Sequence, residues 1–376
     1  MKLVVFGLAI TSSWGNGHAT LWRGLCRALA ARGHLVVFFE RDVPYYAAHR
    51  DLRELPGCRI HLYPSWDEVR ELAARELSDA TAGMVTSFCP DAVAAEEAVL
   101  DSRAELRVFY DLDTPVTLQR IARGEDVVYL GPYGLSRYDL VLSYTGGTSL
   151  DELRDRLGAR DAWPLYGSVD PLVHQPVAPV DEYLADLSYI GTYAGDRQDG
   201  VERLFLEPAR RLPQRRFVLA GSHYPMEFPW SANVFYKRHL SPDQHAAFYC
   251  SSRLTLNVTR RAMADTGYCP SGRLFEAAAC GAPIISDCWQ GLDQFFEPGR
   301  EILVATSSEE AIAAVQRPDD ELRTMARRAR ERTLAEHTAD RRAAELEHLF
   351  ETRSAARVGN HSGRGRGYTD SAAGVF

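Results

Sequence analysis

At 376 residues the chain is too long for one average core and implies about two domains of 150 to 200 residues. Its 43 basic and 51 acidic side chains leave a net charge of −8, which excludes a general attraction to nucleic acid or to an anionic membrane. Cysteines at 26, 58, 89, 250, 269, 280 and 288 are odd in number and form no C-x-x-C pair, so neither a disulfide framework nor a zinc cluster is indicated and a reduced, cytoplasmic setting fits.

The apolar run Leu3 to Ile10 has the hydrophobicity of a short signal peptide. It is only eight residues long, however, and an amphipathic helix follows it instead of a small-residue cleavage site, so it reads as a strand. No stretch approaches the ~18 apolar residues that a membrane span needs. A loop over 11–17 leads to a helix from Ala19 to Arg32, with Leu21, Leu25 and Leu29 at helical spacing and Gly33 as its stop. Leu35 to Phe39 is a strand and 67–77 a Glu- and Ala-rich helix. Arg107 to Tyr110 and Leu140 to Tyr144 are strands, and Gly146-Gly147 turns tightly into a helix over Ser149 to Leu157. Between 163 and 181, four prolines and no helical period mark a linker.

The second half repeats the alternation. Leu187 to Gly191 and Phe217 to Gly221 are strands flanking a helix over Val201 to Leu212. An S-P-D-Q capping box opens a helix from Ser241 to Tyr249, and the strand Arg253 to Val258 follows. Glu301 to Ala305 is a strand, S-S-E-E at 307–310 starts a helix, and a long charged helix from Asp319 to Phe350 has the length to cross back to the first half. Strands alternating with helices define an α/β protein with two doubly wound parallel sheets. The expected division is a first domain over 1–170, a linker over 171–182, a second domain over 183–350 and a tail over 351–376, which lacks a core pattern and reads as disordered. Ligands in such sheets sit beyond the carboxyl ends of the strands, so both domains contribute to one cleft.

The stretch S-G-R-L-F-E-A-A-A-C-G-A-P-I-I-S-D at 271–287 packs a helix start, a cation and a carboxylate into six positions. Ser271 is placed to cap the helix, Gly272 lets a ligand approach the backbone, and Arg273 and Glu276 share a face. Free N–H groups, the positive end of the helix dipole and Arg273 suit a phosphate, and Glu276 suits ribose hydroxyls. This is the chemistry of a nucleotide-diphosphate site, although an ordinary α/β helix also fits the same residues.

The runs G-N-G-H-A-T at 15–20, Y-D-L-D-T-P-V-T-L at 110–118, S-Y-T-G-G at 143–147, P-L-Y-G-S-V-D-P at 164–171 and R-L-F-E-A-A-A-C-G at 273–281 resemble those of GT-B glycosyltransferases, and within them the CgeB-type enzymes. The resemblance covers about residues 1 to 345 and implies two Rossmann-like domains facing across a cleft. The nucleotide sugar would bind the second domain and a small-molecule or glycan acceptor the first, with no metal and no other cofactor. It implies donor contacts from Arg197, Ser271, Gly272, Arg273 and Glu276, with Asn257 and Arg260 weaker candidates. His18 becomes the candidate base or acceptor contact, and Gly17, Asp111, Asp113, Gly146 and Trp289 become acceptor or sugar contacts. The D-L-D run at 111–113 looks like a metal-binding D-x-D, but that motif belongs to the single-domain GT-A architecture, so no metal is expected there. In one respect the chain departs from retaining members of the group. Their E-x7-E pair would need Glu eight positions before Glu276, where this chain has Tyr268, so the second carboxylate is absent or moved to Asp265 and retention versus inversion stays open.

Three other readings fit parts of the chain. G-N-G-H-A-T with Glu40 about twenty residues on partly matches an NAD-binding fingerprint, but Thr20 replaces its third glycine and a long loop precedes Gly15. A GT-B-fold sugar-nucleotide epimerase or hydrolase would use the same donor residues, as would a non-catalytic sugar-nucleotide-binding protein.

Overall fold

Runs of Val, Leu, Ile and Phe without polar alternation suit strands buried on both faces. Over residues 1–363, which this computed structural model describes, they form two wholly parallel sheets. The first has seven strands in the order β3-β2-β1-β4-β5-β6-β7. These are β1 (Lys2–Gly7), β2 (Leu35–Arg41), β3 (Cys58–Tyr63), β4 (Ala82–Thr86), β5 (Leu106–Asp111), β6 (Leu140–Ser143) and β7 (Ala162–Pro164). The second has six, in the order β10-β9-β8-β11-β12-β13. They are β8 (Leu187–Ile190), β9 (Phe217–Ala220), β10 (Val234–Lys237), β11 (Thr255–Asn257), β12 (Ile284–Ser286) and β13 (Leu303–Val304).

The period-two alternation of a strand divides each sheet's apolar residues between two cores. Val4 and Phe6 of β1 pack with Phe39 and Phe109 on one face. Leu3 and Val5 pack on the other with Trp22, Leu25 and Leu29 of the helix Gly17–Ala31. In the second sheet Leu187, Phe217 and Leu256 lie on one face, while the helix Gly272–Ala279 buries Leu274, Phe275 and three alanines against the other.

The long charged stretch after Asp319 is two helices, Asp319–Glu336 and Ala339–Gly363. The chain breaks at His337 and Thr338, where Thr338 bridges to Val169. The second helix returns to the first domain: its Ala343, Leu346, Leu349 and Phe350 join the core around Leu25 and Leu29. It continues past Phe350, where the sequence pattern predicts a structureless tail. Arg353 holds it there, its Nε 2.5 Å from the Asp161 carboxylate and its guanidinium 5.3 Å from the Trp163 ring. Residues 364–376 of the expected tail lie outside the described residues. Among the described residues, no helix is long and apolar enough to cross a membrane.

Candidate functional site

The order of the second sheet reverses direction between β8 and β11, a topological switch point of the kind that opens a crevice at the strands' carboxyl ends. The helix Gly272–Ala279 starts beside that crevice. Its alanines let it lie close to the sheet, all three being 0–1% exposed. Ser271 stands at the N-cap with an extended backbone, but its hydroxyl makes no capping bond, contrary to the sequence expectation. The first-turn N–H groups therefore lack the side-chain acceptor that would compete with an anion.

Arg273 is fixed in the crevice by Asn257 at the end of β11, whose Oδ1 accepts from Nη1 at 2.8 Å, and by the Tyr189 ring 5.3 Å from the guanidinium. Arg197 approaches from the turn Gly195–Arg197. Its Nη1 donates to Thr192 O at 3.1 Å, while its Nε is buried without a partner. Burial pushes the Tyr224 phenol up, and the charges of Arg197 and Arg273 both oppose this. Arg260 is directed elsewhere, to Asp196 at 3.1 Å.

Glu276 lies one turn beyond Arg273, its side chain 14% exposed. Tyr249 Oη donates to Oε2 at 3.3 Å, with His245 Nδ1 at 3.6 Å and His174 Nε2 at 3.9 Å. Burial pushes this carboxyl up, but His174, His245 and Arg273 overcome it and hold the group at about 2. Burial lowers the pKa of His174 itself, and neither of its ring nitrogens has a hydrogen-bond partner. Among the described residues, His174, His245 and Glu276 form the one His/Glu cluster with metal-ligand geometry, their ligating atoms lying within 4.8 Å of one another. Neither histidine stands out in the sequence, because one lies in the proline-rich linker and the other inside a capped helix.

On the first domain, Asn16 caps the helix Gly17–Ala31 by accepting from the His18 N–H at 3.1 Å. This sets the His18 ring at the rim, where Nε2 stands 3.0 Å from Asp113 Oδ2. A carboxylate only accepts, so Nε2 is the donor of this bond, while Nδ1 is buried without a hydrogen-bond partner. Gly17 precedes it with open space where a Cβ would be. Asp111 ends β5 but is wholly buried. Its Oδ1 accepts the Asp113 N–H at 3.1 Å, and burial above all raises its pKa to about 6. It serves the turn that presents Asp113 and does not face the cleft.

Several other candidates fall differently from expectation. Trp289 is 5% exposed and packs into the second domain's core with Phe295. The Asp265 side chain is 64% exposed and pairs with Arg261 at 3.3 Å. Gly146 donates its N–H to Tyr268 O at 3.0 Å across the domain boundary. Glu40 is fully buried and accepts from Ile10 N, Thr11 N and Thr11 Oγ1 at 2.7, 2.9 and 2.6 Å, which uses up the acid of the NAD fingerprint.

The first domain also supplies Tyr144, which is not among the residues the sequence predicts for the site. Its Oη lies 3.7 Å from where a Cβ on Gly272 would stand, directly over the helix start. At another point of the boundary, Trp14 stacks on His49 at 4.3 Å and meets His239 of the second domain at 4.5 Å. There Tyr45 Oη and His223 Nε2 are hydrogen-bonded at 3.0 Å.

Two parallel-sheet domains with these facing strand ends constitute the GT-B fold, and solved structures of that fold superpose on nearly the whole chain. Sucrose-phosphate synthase from Thermosynechococcus elongatus is 17% identical with a TM-score of 0.69, the match covering 95% of this chain and 100% of that one. HepE of Anabaena, solved with UDP and glucose, is 12% identical with a TM-score of 0.66, covering 94% of this chain and 100% of its own. The catalytic domain of starch synthase IV from Arabidopsis thaliana, bound to ADP and acarbose, is 13% identical with a TM-score of 0.62, covering 94% and 99%. Residues 197–348, which include Arg197, Arg273 and Glu276, match the family model described as "Glycosyl transferase-like". No curated protein matches the chain by sequence.

Proposed function

We propose that the chain is a glycosyltransferase that moves a sugar from a nucleotide-diphosphate donor to a hydroxyl or similar nucleophile of a small-molecule or glycan acceptor. The observation that carries this reading is the convergence of Arg273, Glu276 and an uncapped helix start at the switch point. The family match over 197–348 and the fold support it. The leaving diphosphate gathers negative charge as the glycosidic bond breaks, and fixed donors at the helix start, Arg273 and Arg197 stabilise that charge without the aid of a metal. Glu276, ionised across the working pH range, accepts from the ribose hydroxyls.

His18 takes the proton of the acceptor hydroxyl as the oxygen attacks the anomeric carbon, and Asp113, 3.0 Å from Nε2, stabilises the imidazolium that forms. A base of this kind, with Tyr268 where a second glutamate would stand, favours inversion; a product of retained configuration would reduce His18 to acceptor positioning. A hexosyl donor, a CgeB-type relationship and work in the cytoplasm complete the proposal, the last supported by seven free thiols.

A thermal-shift panel of UDP, GDP, dTDP and ADP tests the donor assignment, because a ligand that binds only the folded state raises the midpoint. One of them is expected to raise it in the wild type and not in Glu276→Ala. A panel with no shift, or an equal shift in the variant, would sink the donor site. Release of free sugar or an epimer without any acceptor would favour the hydrolase or epimerase reading, and binding without turnover a sensor.

A further inference from the structure

Gly267-Tyr268 and the S-Y-T-G-G run at 143–147 meet across the domain boundary in an arrangement that the donor and acceptor roles leave unexplained. Tyr268 has a left-handed backbone, φ 48°, which a bulky residue adopts only where its surroundings impose it. Its N–H donates to Gln290 O at 2.7 Å, and its carbonyl accepts from Gly146 of the first domain at 3.0 Å. The ring lies between two glycines. A Cβ on Gly147 would stand 2.3 Å from Cδ2, and one on Gly291 would stand 2.4 Å from Cδ1, so any side chain at either position would collide with the ring. Gly147 belongs to the loop after β6 and Gly291 to the loop after β12, one from each domain, and both have positive φ, 61° and 86°. Gly267 completes the slot, since a Cβ there would meet Gln290 at 2.8 Å.

We infer that Tyr268 is a positioning residue: clasped between Gly147 of one domain and Gly291 of the other, its ring sets the separation between the His18–Asp113 pair and the Arg273–Glu276 helix start. The inference rests on the transferase reading above for what that separation is used for. The ring sits at the carboxyl ends of the strands, on the rim where the two half-sites face each other. A sub-ångström to ångström error there is costly, because reacting groups must be held near van der Waals contact. The position that carries a sugar-binding glutamate in retaining relatives thus serves interdomain geometry in this chain.

Amide hydrogen exchange on the full chain without ligand tests the clasp. Tyr268→Ala should speed exchange at Gly146 and across 287–292 on the order of 10-fold while the strand amides keep their rates, and Tyr268→Phe, which keeps the ring, should retain wild-type protection. Gly147→Ala presses a methyl group on the ring from the other domain and should open the same amides, an independent check should Tyr268→Ala fold poorly. With UDP-glucose as the probe donor, Tyr268→Ala should lower kcat on the order of 10-fold with KM within about 3-fold, and Tyr268→Phe should restore it. Unchanged exchange in Tyr268→Ala, no rescue by phenylalanine, or a rise in KM at constant kcat would overturn the inference. The exchange experiment needs no nucleotide, so a chain that turns over no sugar donor would count against the transferase reading while the exchange rates still decide the clasp.

Discussion

The two halves of the site are built in opposite ways. The second-domain half is compact in sequence: Ser271, Gly272, Arg273 and Glu276 occupy six positions, because one helix start gathers N–H groups, a cation and a carboxylate by its own geometry. The first-domain half joins His18 to Asp113 over a separation of 95 residues, and the parallel register of β1, β4 and β5, with the Asn16 cap and the Asp111 turn, brings them together. Anion binding needs a concentration of fixed positive charge, which local structure supplies. Proton transfer needs one imidazole with a defined tautomer, which only tertiary structure supplies.

That contrast makes separable predictions. The largest effect belongs to His18→Ala, which should lower kcat by about 10²–10⁴-fold while nucleotide affinity stays at the wild-type value, as measured by steady-state kinetics beside calorimetric titration. A loss of affinity of similar size would erase the division between the halves. Glu276→Ala should act the other way, weakening nucleotide binding by about 10–100-fold, or about 1.4–2.7 kcal/mol, with the fold intact by circular dichroism.

The pH dependence sharpens the same comparison. The Glu276 carboxyl is held at about 2 against an ordinary 4.5, so its stabilising contribution is complete above the unfolded value and is lost as pH falls through that window. Asp111 has the reverse sign. Its folded pKa is raised from 3.8 to about 6, so it costs stability as pH rises through that interval, and Asp111→Asn should add about 2–3 kcal/mol at pH 7 and flatten the melting-temperature profile between those values. An Asp111→Asn melting curve that tracks the wild type from pH 4 to 7 would show that burial is not what controls this group. The smallest effect is Asp113→Asn, which leaves the His18 ring in place but offers it the wrong partner, and should lower kcat about 10-fold or more without moving nucleotide affinity.

What was legible in the sequence follows the same line. Central strands such as β1 and β8, and the helices with caps or apolar stripes, stand out because their pattern is local. The edge strand β3, C-R-I-H-L-Y, alternates charge with half-exposed residues and reads as nothing in particular. In β4 a glycine interrupts the apolar run because Leu77 and Val99 occupy the space of its missing Cβ, with Leu77 at 2.7 Å. Arg273 and Glu276 were legible, and the structure puts them in one crevice. His174, His245 and Tyr249 were not, since a linker and a second helix bring them to Glu276 only after folding. Trp289 illustrates the opposite case: a loop at a strand end suggests a ligand contact, while the indole's apolar area draws it into the core.

The chain crosses the domain boundary twice, and the two crossings run side by side. Val169 N–H donates to His337 O at 3.0 Å and Val169 O accepts from Ala339 N at 2.8 Å, so the outgoing and returning segments are bonded into one short ribbon. A single tether would leave two domains free to swivel, whereas two passes bonded side by side work like the spine of a book, which resists sliding of one cover past the other. The facing of His18 toward the second domain is thus supported by covalent connectivity as well as by side-chain contacts.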